Sequence, residues 1–344
     1  VLTMKCTKLF VFFQGLQVVW GFGAQALAPG NVAVLDHLNI NHKKSEHDLL
    51  KAFYFDTLGL AVDPRKTENL LKGRKTLWAN AGIHQFHLPE AEEAQVFDGE
   101  VTLAYKDRKA IEEIRQKLLD PPNSLLNTKF SWKNEPLDDS ILVNDPWGTR
   151  FKLVIEPSVL DERGVQPGEP SVPCGMKDLC VNVPSTSSLD GIGRFYTQVL
   201  GAPVSLEDDV LQVVVSPKQT LTFKRIKENR LVQHEELEFD EQGKVMSNYG
   251  AHISMYVYNL PEAYKQASDM GVTFVNHRFK RRAYSLEDAV DQCMFRILDI
   301  VDPENPAQGP IIRLEHEIRS ITTKDGTLYK SCPFFDIPAG ITLQ

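Results

Sequence analysis

Polar and apolar residues alternate along residues 34–41, near the start of the chain. One face carries polar side chains and the other apolar ones: His37, Asn39 and Asn41 against Leu38 and Ile40. Such a two-residue period is typical of a half-buried β-strand. Residues 46–58 then follow a helical period that ends at Gly59, a residue favoured after a helix C-terminus. The chain therefore opens with a strand followed by an amphipathic helix.

The same order of elements is predicted several times further along the chain. After further strands within 76–88, the pattern predicts a strand, a helix and two strands at 100–105, 108–119, 129–132 and 150–156. A second series predicts strands at 177–183, 211–215, 219–224, 252–257 and 311–317, with helices at 189–200 and 261–270.

The two series are also related in sequence. The segment FYFDTLGL at 53–60 recurs as FYTQVLGA at 195–202, and VLDHLNIN at 34–41 matches GMKDLCVN at 175–182. Self-similarity at a fixed separation indicates repeated structural units. The sequence thus predicts two related domains at 31–157 and 175–318, the second degenerate, with a linker at 158–174 and a C-terminal tail at 319–344.

Length and charge narrow the class of protein. A chain of 344 residues is long enough for two domains that each bury a core. The net charge of -8 argues against nucleic-acid binding, which relies on a basic surface. The densest basic cluster, residues 278–282 (RFKRR), is short and is expected to be a solvated loop.

The first 28 residues have the layout of a removable leader. Residues 9–28 are uncharged, follow Lys5 and Lys8, and end in the small-residue pattern Ala26-Leu27-Ala28. We expect a signal peptide and the secretory pathway, with no membrane contact after its removal. A membrane anchor and, in an alga with complex plastids, a plastid address are the alternatives. Cleavage would leave an even number of cysteines, which permits disulfides.

Four short segments resemble the vicinal-oxygen-chelate superfamily, which includes glyoxalase I, bleomycin-resistance proteins and extradiol dioxygenases. They are LDHLNI at 35–40, FYFDTLGL at 53–60, QFHL at 85–88 and DPWGTRF at 145–151. The resemblance implies an α+β fold of tandem domains. In each domain two βαβββ units would form a half-open mixed β-barrel with outer helices.

The resemblance also implies a divalent metal inside the barrel. The ligand positions of the first domain read His37, His87, Glu100 and Lys152. The first three can bind iron, zinc, manganese or nickel, and Lys152 or Glu156 would carry protons. The alternative is a polar cup without metal, in which Lys152 forms a salt bridge with Glu100.

The corresponding positions of the second domain read Asp178, Lys224, His252 and Arg313. Two permanent cations make this set poor for a metal. Lys224, His252 and Arg313 could instead bind an anion, since arginine offers a bidentate fork. The alternative is an Asp178–Arg313 ion pair in a degenerate copy kept for packing.

Three functions follow from these expectations. The first is a metal-dependent enzyme, with glyoxalase, lyase or dioxygenase chemistry, that acts in the first domain on a small oxygen-chelating molecule. The second is a metal-free small-molecule binding protein of the bleomycin-resistance type, and the third is a structural subunit without catalysis. A monomer or a homodimer would serve any of them.

Overall fold

The computed structural model describes residues 30–73, 76–137, 139–157, 162–164, 167–227 and 232–337. The expected leader and parts of the expected linker and tail lie outside these residues. Across the described ranges we find no helix that combines the length and the apolar character needed to cross a bilayer.

The strands and helices alternate along the chain as the sequence pattern predicts. The strands are β1 Val32–Asn39, β2 His42–Lys43, β3 Ala61–Val62, β4 Thr76–Ala81, β5 His84–Ala91, β6 Gly99–Tyr105, β7 Ser131–Glu135, β8 Ser140–Asn144, β9 Arg150–Ile155, β10 Pro173–Val183, β11 Val204–Glu207, β12 Val210–Ser216, β13 Gln219–Arg225, β14 Leu237–Phe239, β15 Val245–Asn248, β16 His252–Val257, β17 Thr273–Phe274, β18 Met294–Val301 and β19 Pro310–Ser320. The helices are α1 His47–Leu50, continued as a π-helix at Lys51–Thr57, α2 Thr67–Leu71, α3 Arg108–Leu119, α4 Leu189–Leu200, α5 Leu260–Asp269 and α6 Leu286–Gln292.

These elements form four units, each opened by one long strand. Unit 1 begins with β1, unit 2 with β6, unit 3 with β10 and unit 4 with β16. In each unit the first strand lies parallel to the last, which is β5, β9, β13 or β19 respectively. A helix follows each first strand, so the βαβββ order predicted by the resemblance is present four times.

The four units share two large mixed sheets. Sheet one joins unit 4 to unit 1 in the order β17-β18-β19-β16-β1-β5-β4-β3, with β2 beside β5. Sheet two joins unit 3 to unit 2 in the order β11-β12-β13-β10-β6-β9-β8-β7. In both sheets the two first strands are antiparallel neighbours at the centre. Both sheets are open rather than closed barrels.

The α+β fold class is confirmed, but the partner of each unit differs from the expected one. The sequence analysis paired units 1 and 2 in one cup and units 3 and 4 in the other. The structure instead pairs the outer units and the inner units. Because all four units present the same kind of first strand, local periodicity is compatible with either pairing. The bounds 31–157 and 175–318 of the repeat stay a prediction.

Local sequence explains where the helices begin and end. Asp107 and Ser188 accept hydrogen bonds from backbone N–H groups in the first turns of α3 and α4, as helix N-caps do. Gly201 ends α4 in the left-handed conformation. Helix α6 and strand β18 are not among the elements that the sequence pattern predicts.

The two sheets are bonded to each other through buried polar groups. The side-chain amide of Gln219 accepts from the backbone N–H of Leu35 and donates to its carbonyl, both at 3.0 Å. Nδ1 of His84 accepts from the backbone N–H of Met176 at 3.0 Å. His84 therefore has a structural role, on the face of β5 opposite to His87.

Candidate functional site

A cup on sheet one brings together four polar side chains at matched positions of units 1 and 4. His37 on β1 lies opposite Ser254, and His252 on β16 lies opposite Asn39. On the last strands, His87 lies opposite Asn39 and Glu317 opposite Ser254. An approximate twofold axis between β1 and β16 thus relates His37 to His252 and His87 to Glu317.

A bulge in β1 orients the first of these histidines. The register between β1 and β16 shifts between Leu35 and His37, and such a bulge re-aims neighbouring side chains. Asp36 and His37 can therefore meet, with Oδ2 of Asp36 at 2.8 Å from Nδ1 of His37. This contact fixes the ring and leaves Nε2, which has no hydrogen-bond partner in the described chain, for another bond.

Arg163 supports that pair from the expected linker. It is buried, donates to Oδ1 of Asp36 at 3.0 Å and also bonds the carbonyl of Ile83. A third bond, of 3.3 Å, reaches the carbonyl of Ser331. Arg163, in the expected linker, and the C-terminal segment thus both contribute to holding His37 in place.

Three of the side chains in the cup are arranged as a metal site would require. One ligand atom each from His37, His252 and Glu317 lies within 4.8 Å of the others, and all three residues are buried. Two histidines and one carboxylate are the donors of the facial triad found at non-haem iron sites. The orphaned Nε2 of His37 is what a missing ligand partner would leave. The residues present therefore fit a divalent metal.

His87 stands beside this group rather than within it. Its ring stacks on that of His37 with centroids 3.7 Å apart, and on its other side Trp78 stacks at 4.3 Å. Nε2 of His87 lies 3.1 Å from Oε1 of Gln85. The stack restricts how the ring can rotate, so the imidazole is presented to the cup in one orientation.

Burial keeps the three histidines in their neutral form. Desolvation lowers the pKa of His37 and lowers those of His87 and His252 well below the usual value. For His37 the hydrogen bond that its ring donates to Asp36 opposes that shift, and for His252 the charge of Arg296 adds to it. Neutral imidazole is the form that binds metals.

Glu317 is held in its charged form by two arginines. Burial by itself would raise its pKa, but the charges of Arg296 and Arg319 hold that pKa well below its usual range. Arg296 donates to Oε2 and Arg319 to Oε1, each at 2.7 Å. Since a carboxylate oxygen has two lone pairs, Glu317 can accept these bonds and still bind a cation.

The cup opens into a cavity of about 350 Å³. Its wall includes Phe279, Arg281 and Tyr329, beside His87, His252 and Glu317. The sequence analysis expected residues 278–282 to be a solvated loop. The segment is a loop and Lys280 is exposed, but Phe279 is partly buried and lines the cavity. The rings of Phe279 and His252 are nearly perpendicular with centroids 5.5 Å apart, and Arg296 lies over the Phe279 ring at 3.9 Å. A phenylalanine inside a basic run was the signal for this inward placement.

Other residues expected at the site lie elsewhere. Glu100 is on β6 of sheet two, opposite Cys180, and pairs with Arg150 at 3.3 Å. The expected convergence of Glu100 with His37 and His87 is therefore not what the structure shows. Lys152 is on β9 of the same sheet, and Glu156 follows that strand and forms an ion pair with Lys177. Neither reaches the cup on sheet one.

The expected anion-binding trio is also divided between the sheets. Lys224 is an exposed residue at the end of β13. Arg313 pairs with Asp299 at 2.9 Å, on β18 of sheet one, and not with Asp178. Only His252 lies in the cup, where its neighbours are His37 and Glu317. The expected Asp178–Arg313 pair is likewise wrong.

Glu317, Asp36, Arg163, Arg296 and Arg319 were missed. Matching unit 1 with unit 4, instead of one domain with the other, would have set Glu317 at the place of His87. The sequence analysis used Arg313 there, which is four residues too early. Arg163 and Arg296 had no local signal, because each acts through a partner distant in sequence, whereas Arg319 lies two residues from its partner Glu317.

Sheet two has a second cup with different contents. Its matched positions, by the same register, hold Glu100, Lys152, Asp178 and Thr222. Asp178 accepts hydrogen bonds from Thr220 at 2.5 Å and Thr222 at 2.7 Å. With no histidine at any of the four positions, this cup lacks the donors of the first.

A further cavity, of about 430 Å³, lies where the two sheets meet the C-terminal segment. Its wall is mainly apolar and includes Ala33, Ile83, Met176 and Phe334. Cys180, Cys293 and Cys332 form no disulfide bond within the described residues. No metal-ligating group of three or more His, Cys, Asp or Glu residues occurs elsewhere in the described ranges.

Comparison with known proteins supports the fold. No protein-family model matches the sequence, and no curated protein is significantly similar to it. Among solved structures, a provisionally assigned dioxygenase of Bacillus subtilis superposes with a TM-score of 0.51 at 13% identity, over 90% of this chain and 93% of that one. The 2,3-dioxygenase LapB of Pseudomonas sp. KL28 gives 0.29 at 14% identity, over 85% and 93%. The Mn(II)-bound glyoxalase of Novosphingobium aromaticivorans gives 0.30 at 13%, over 84% and 82%.

The chain therefore has the vicinal-oxygen-chelate fold. This statement rests on the βαβββ units, on their pairing through antiparallel first strands, and on the superposition over nine-tenths of the chain. At such low identity the likeness concerns the fold alone, and function has to be argued from the site.

Proposed function

We propose that this protein is a metal-dependent enzyme of the vicinal-oxygen-chelate type whose active site is the cup on sheet one. His37, His252 and Glu317 would hold a divalent metal, with iron favoured by the two-histidine, one-carboxylate donor set. When bound, the metal would polarise a small molecule that binds through two adjacent oxygens. The observation that carries this proposal is the approach of the three ligand atoms to within 4.8 Å.

The surrounding residues have separate roles in this proposal. Asp36 orients His37 through its 2.8 Å contact, and such partners of metal-bound histidines fix the tautomer. His87 lines the cavity in its neutral form and is the candidate proton acceptor. Arg296 and Arg319 keep Glu317 charged and in place. Lys152 and Glu156, first considered as proton carriers, are not used.

Elemental analysis of the full chain, purified without an affinity tag that binds metal, tests the proposal. We expect about one iron, manganese, nickel or zinc ion per chain, and no more than a trace in His252→Ala. Glu100→Ala, at the position of the cup on sheet two that matches His252, is the control, and it should keep the metal. Absence of metal after reconstitution, or equal loss in both variants, would rule the proposal out.

A second function is favoured by one observation, namely that both oxygens of Glu317 already accept a guanidinium bond. A cup whose carboxylate is satisfied in this way could act as a metal-free binding protein for an anion. A ligand-induced rise in melting temperature that a chelator leaves unchanged would support this reading. A rise that the chelator abolishes would support the enzyme.

A further inference from the structure

We infer that the molecule bound in the cup on sheet one carries an oxyanion group, a carboxylate or a phosphate, which Arg281, Lys280 and Lys330 hold at the mouth. The side chains that line this cavity include six cations and one anion. The cations are Arg65, Lys280, Arg281, Arg296, Arg319 and Lys330, and the anion is Glu317. The statement that the ligand has two adjacent oxygens rests on the proposed function. The statement that cationic residues at the mouth bind its oxyanion does not.

The charges at the floor of the cup already balance each other. The buried acids are Asp36, Glu315 and Glu317, and the buried bases are Arg163, Arg296 and Arg319. They are joined in pairs, for example Arg296 to Glu315 at 2.5 Å and Arg163 to Asp36 at 3.0 Å. A divalent metal would therefore leave the floor with two uncompensated positive charges, which an anionic ligand would neutralise.

The mouth adds cations that protein acids do not fully compensate. Arg65 is neutralised by Asp63 through two bonds of 2.7 Å. Arg281 is 38% exposed at its side chain and lies 3.6 Å from Glu317, an acid already shared with two other arginines. Lys280 and Lys330 are exposed, and no acidic residue in the described ranges pairs with either.

This concentration of positive charge contrasts with the chain as a whole. The protein has 46 acidic and 38 basic residues, so its net charge is negative. A cationic cleft in such a chain would focus the field and draw an anionic ligand to one place. Arginine binds carboxylates and phosphates through a planar fork, and the cavity of about 350 Å³ suits a small molecule.

Two probes that differ by one carboxylate can test the inference. Catechol and 3,4-dihydroxybenzoate both offer two adjacent oxygens, and only the second adds an acid group. We would titrate each into the metal-loaded full chain by calorimetry and compare the Kd values. The variant is Lys280→Gln/Lys330→Gln, which changes exposed side chains alone. The control is Arg313→Gln, an arginine outside the cavity.

We expect 3,4-dihydroxybenzoate to bind about tenfold more tightly than catechol. In the double variant this ratio should fall roughly fivefold, the most that exposed charges usually contribute, while the Kd for catechol stays unchanged. The control should keep the full ratio. Equal binding of the two probes by the unmodified chain, or a ratio that is undiminished in the double variant, would overturn the inference.

Two further measurements separate this inference from the proposed function. Metal analysis of the same samples tests the proposed function independently of how the two probes bind. In chelator-treated protein, malonate and inorganic phosphate judge the mouth without any metal. Either anion should raise the melting temperature in the unmodified chain and not in the double variant, and the more effective one identifies the group. Failure of both would overturn the inference even if a metal binds.

Discussion

The two cups have the same arrangement of strands, but the side chains at their matched positions differ. On sheet one the matched positions hold three histidines and Glu317, surrounded by buried arginines. On sheet two the same register presents Glu100, Lys152, Asp178 and Thr222. The comparison shows that the fold supplies converging positions, and that the side chains at those positions decide whether a metal can bind there.

The two cups also differ in the residue at the bulge of the central strand, β1 in sheet one and β10 in sheet two. In sheet one the bulge of β1 contains Asp36, which is fully buried and bonded to His37 and Arg163. In sheet two the bulge of β10 contains Lys177, which points to the surface and pairs with Glu156. One bulge therefore orients a candidate ligand, whereas the other carries a partly exposed ion pair.

The largest expected effect is on stability, from replacing the charged group at the centre of each cup. Glu317→Gln leaves buried arginines uncompensated, and we expect it to lower the free energy of unfolding by about 3 kcal/mol. Asp178→Asn keeps an acceptor for both threonines, so its effect should stay below about 1 kcal/mol. Urea denaturation measures both. Equal losses would show that the two cups do not differ in this way.

The second largest effect is expected on the pH dependence of stability, through His84 at the interface between the two sheets. Burial lowers the pKa of His84 to about 4 in the folded chain, against about 6.5 when unfolded. Between these two pH values the unfolded state binds more protons than the folded state. The contribution of His84 to the free energy of unfolding is therefore fully present above pH 6.5 and is lost as the pH falls towards 4. The loss amounts to about 3 kcal/mol. In His84→Gln, the free energy of unfolding should therefore change less between pH 6.5 and pH 4, as urea denaturation at a series of pH values would show.

Asp178 provides a control of opposite sign. Burial raises its pKa above the ordinary value despite the bonds from Thr220 and Thr222. The folded state then holds its proton longer, so this group lowers stability as the pH rises through that range. In Asp178→Asn this contribution disappears. The expectation for His84 fails if His84→Gln leaves the acid limb as steep as before.

Metal affinity should respond to the residue at the bulge of β1. Asp36→Asn removes the charge that orients His37, and loss of such a partner usually weakens metal binding about 10-fold to 100-fold. Lys177→Met at the bulge of β10 is the matched control and should leave affinity unchanged. Competition with a fluorescent chelator gives both constants. An unchanged affinity in Asp36→Asn would mean that His37 is not a ligand.

The smallest effect is expected at Arg313, the arginine that the sequence placed in the second cup. Its pair with Asp299 is about one-third exposed on each side, and exposed pairs contribute about 0.2–1 kcal/mol. Arg313→Gln should therefore lower stability by less than about 1 kcal/mol and change neither metal nor ligand binding. A clear loss of ligand binding would show that Arg313 contributes to the site after all.

Much of the secondary structure could be read from the sequence because its causes are local. Strand β16 and helices α3 and α4 lie where the periodicity and the helix caps put them. The vicinal-oxygen-chelate resemblance was carried by short segments such as QFHL, and it led to the confirmed fold. His37 and His252 were singled out for the same reason, since each sits on the polar face of a first strand.

The sequence by itself determined the four units and the faces of their strands, because a two-residue or 3.6-residue period is a property of neighbouring residues. Only the tertiary structure decided which units share a sheet, since every unit offers the same edge to a partner. That choice brought Glu317 to His37 across 280 residues and moved Glu100 to the other sheet. It also brought Arg163 and residues 279–281 to the cup, through contacts that no local pattern encodes.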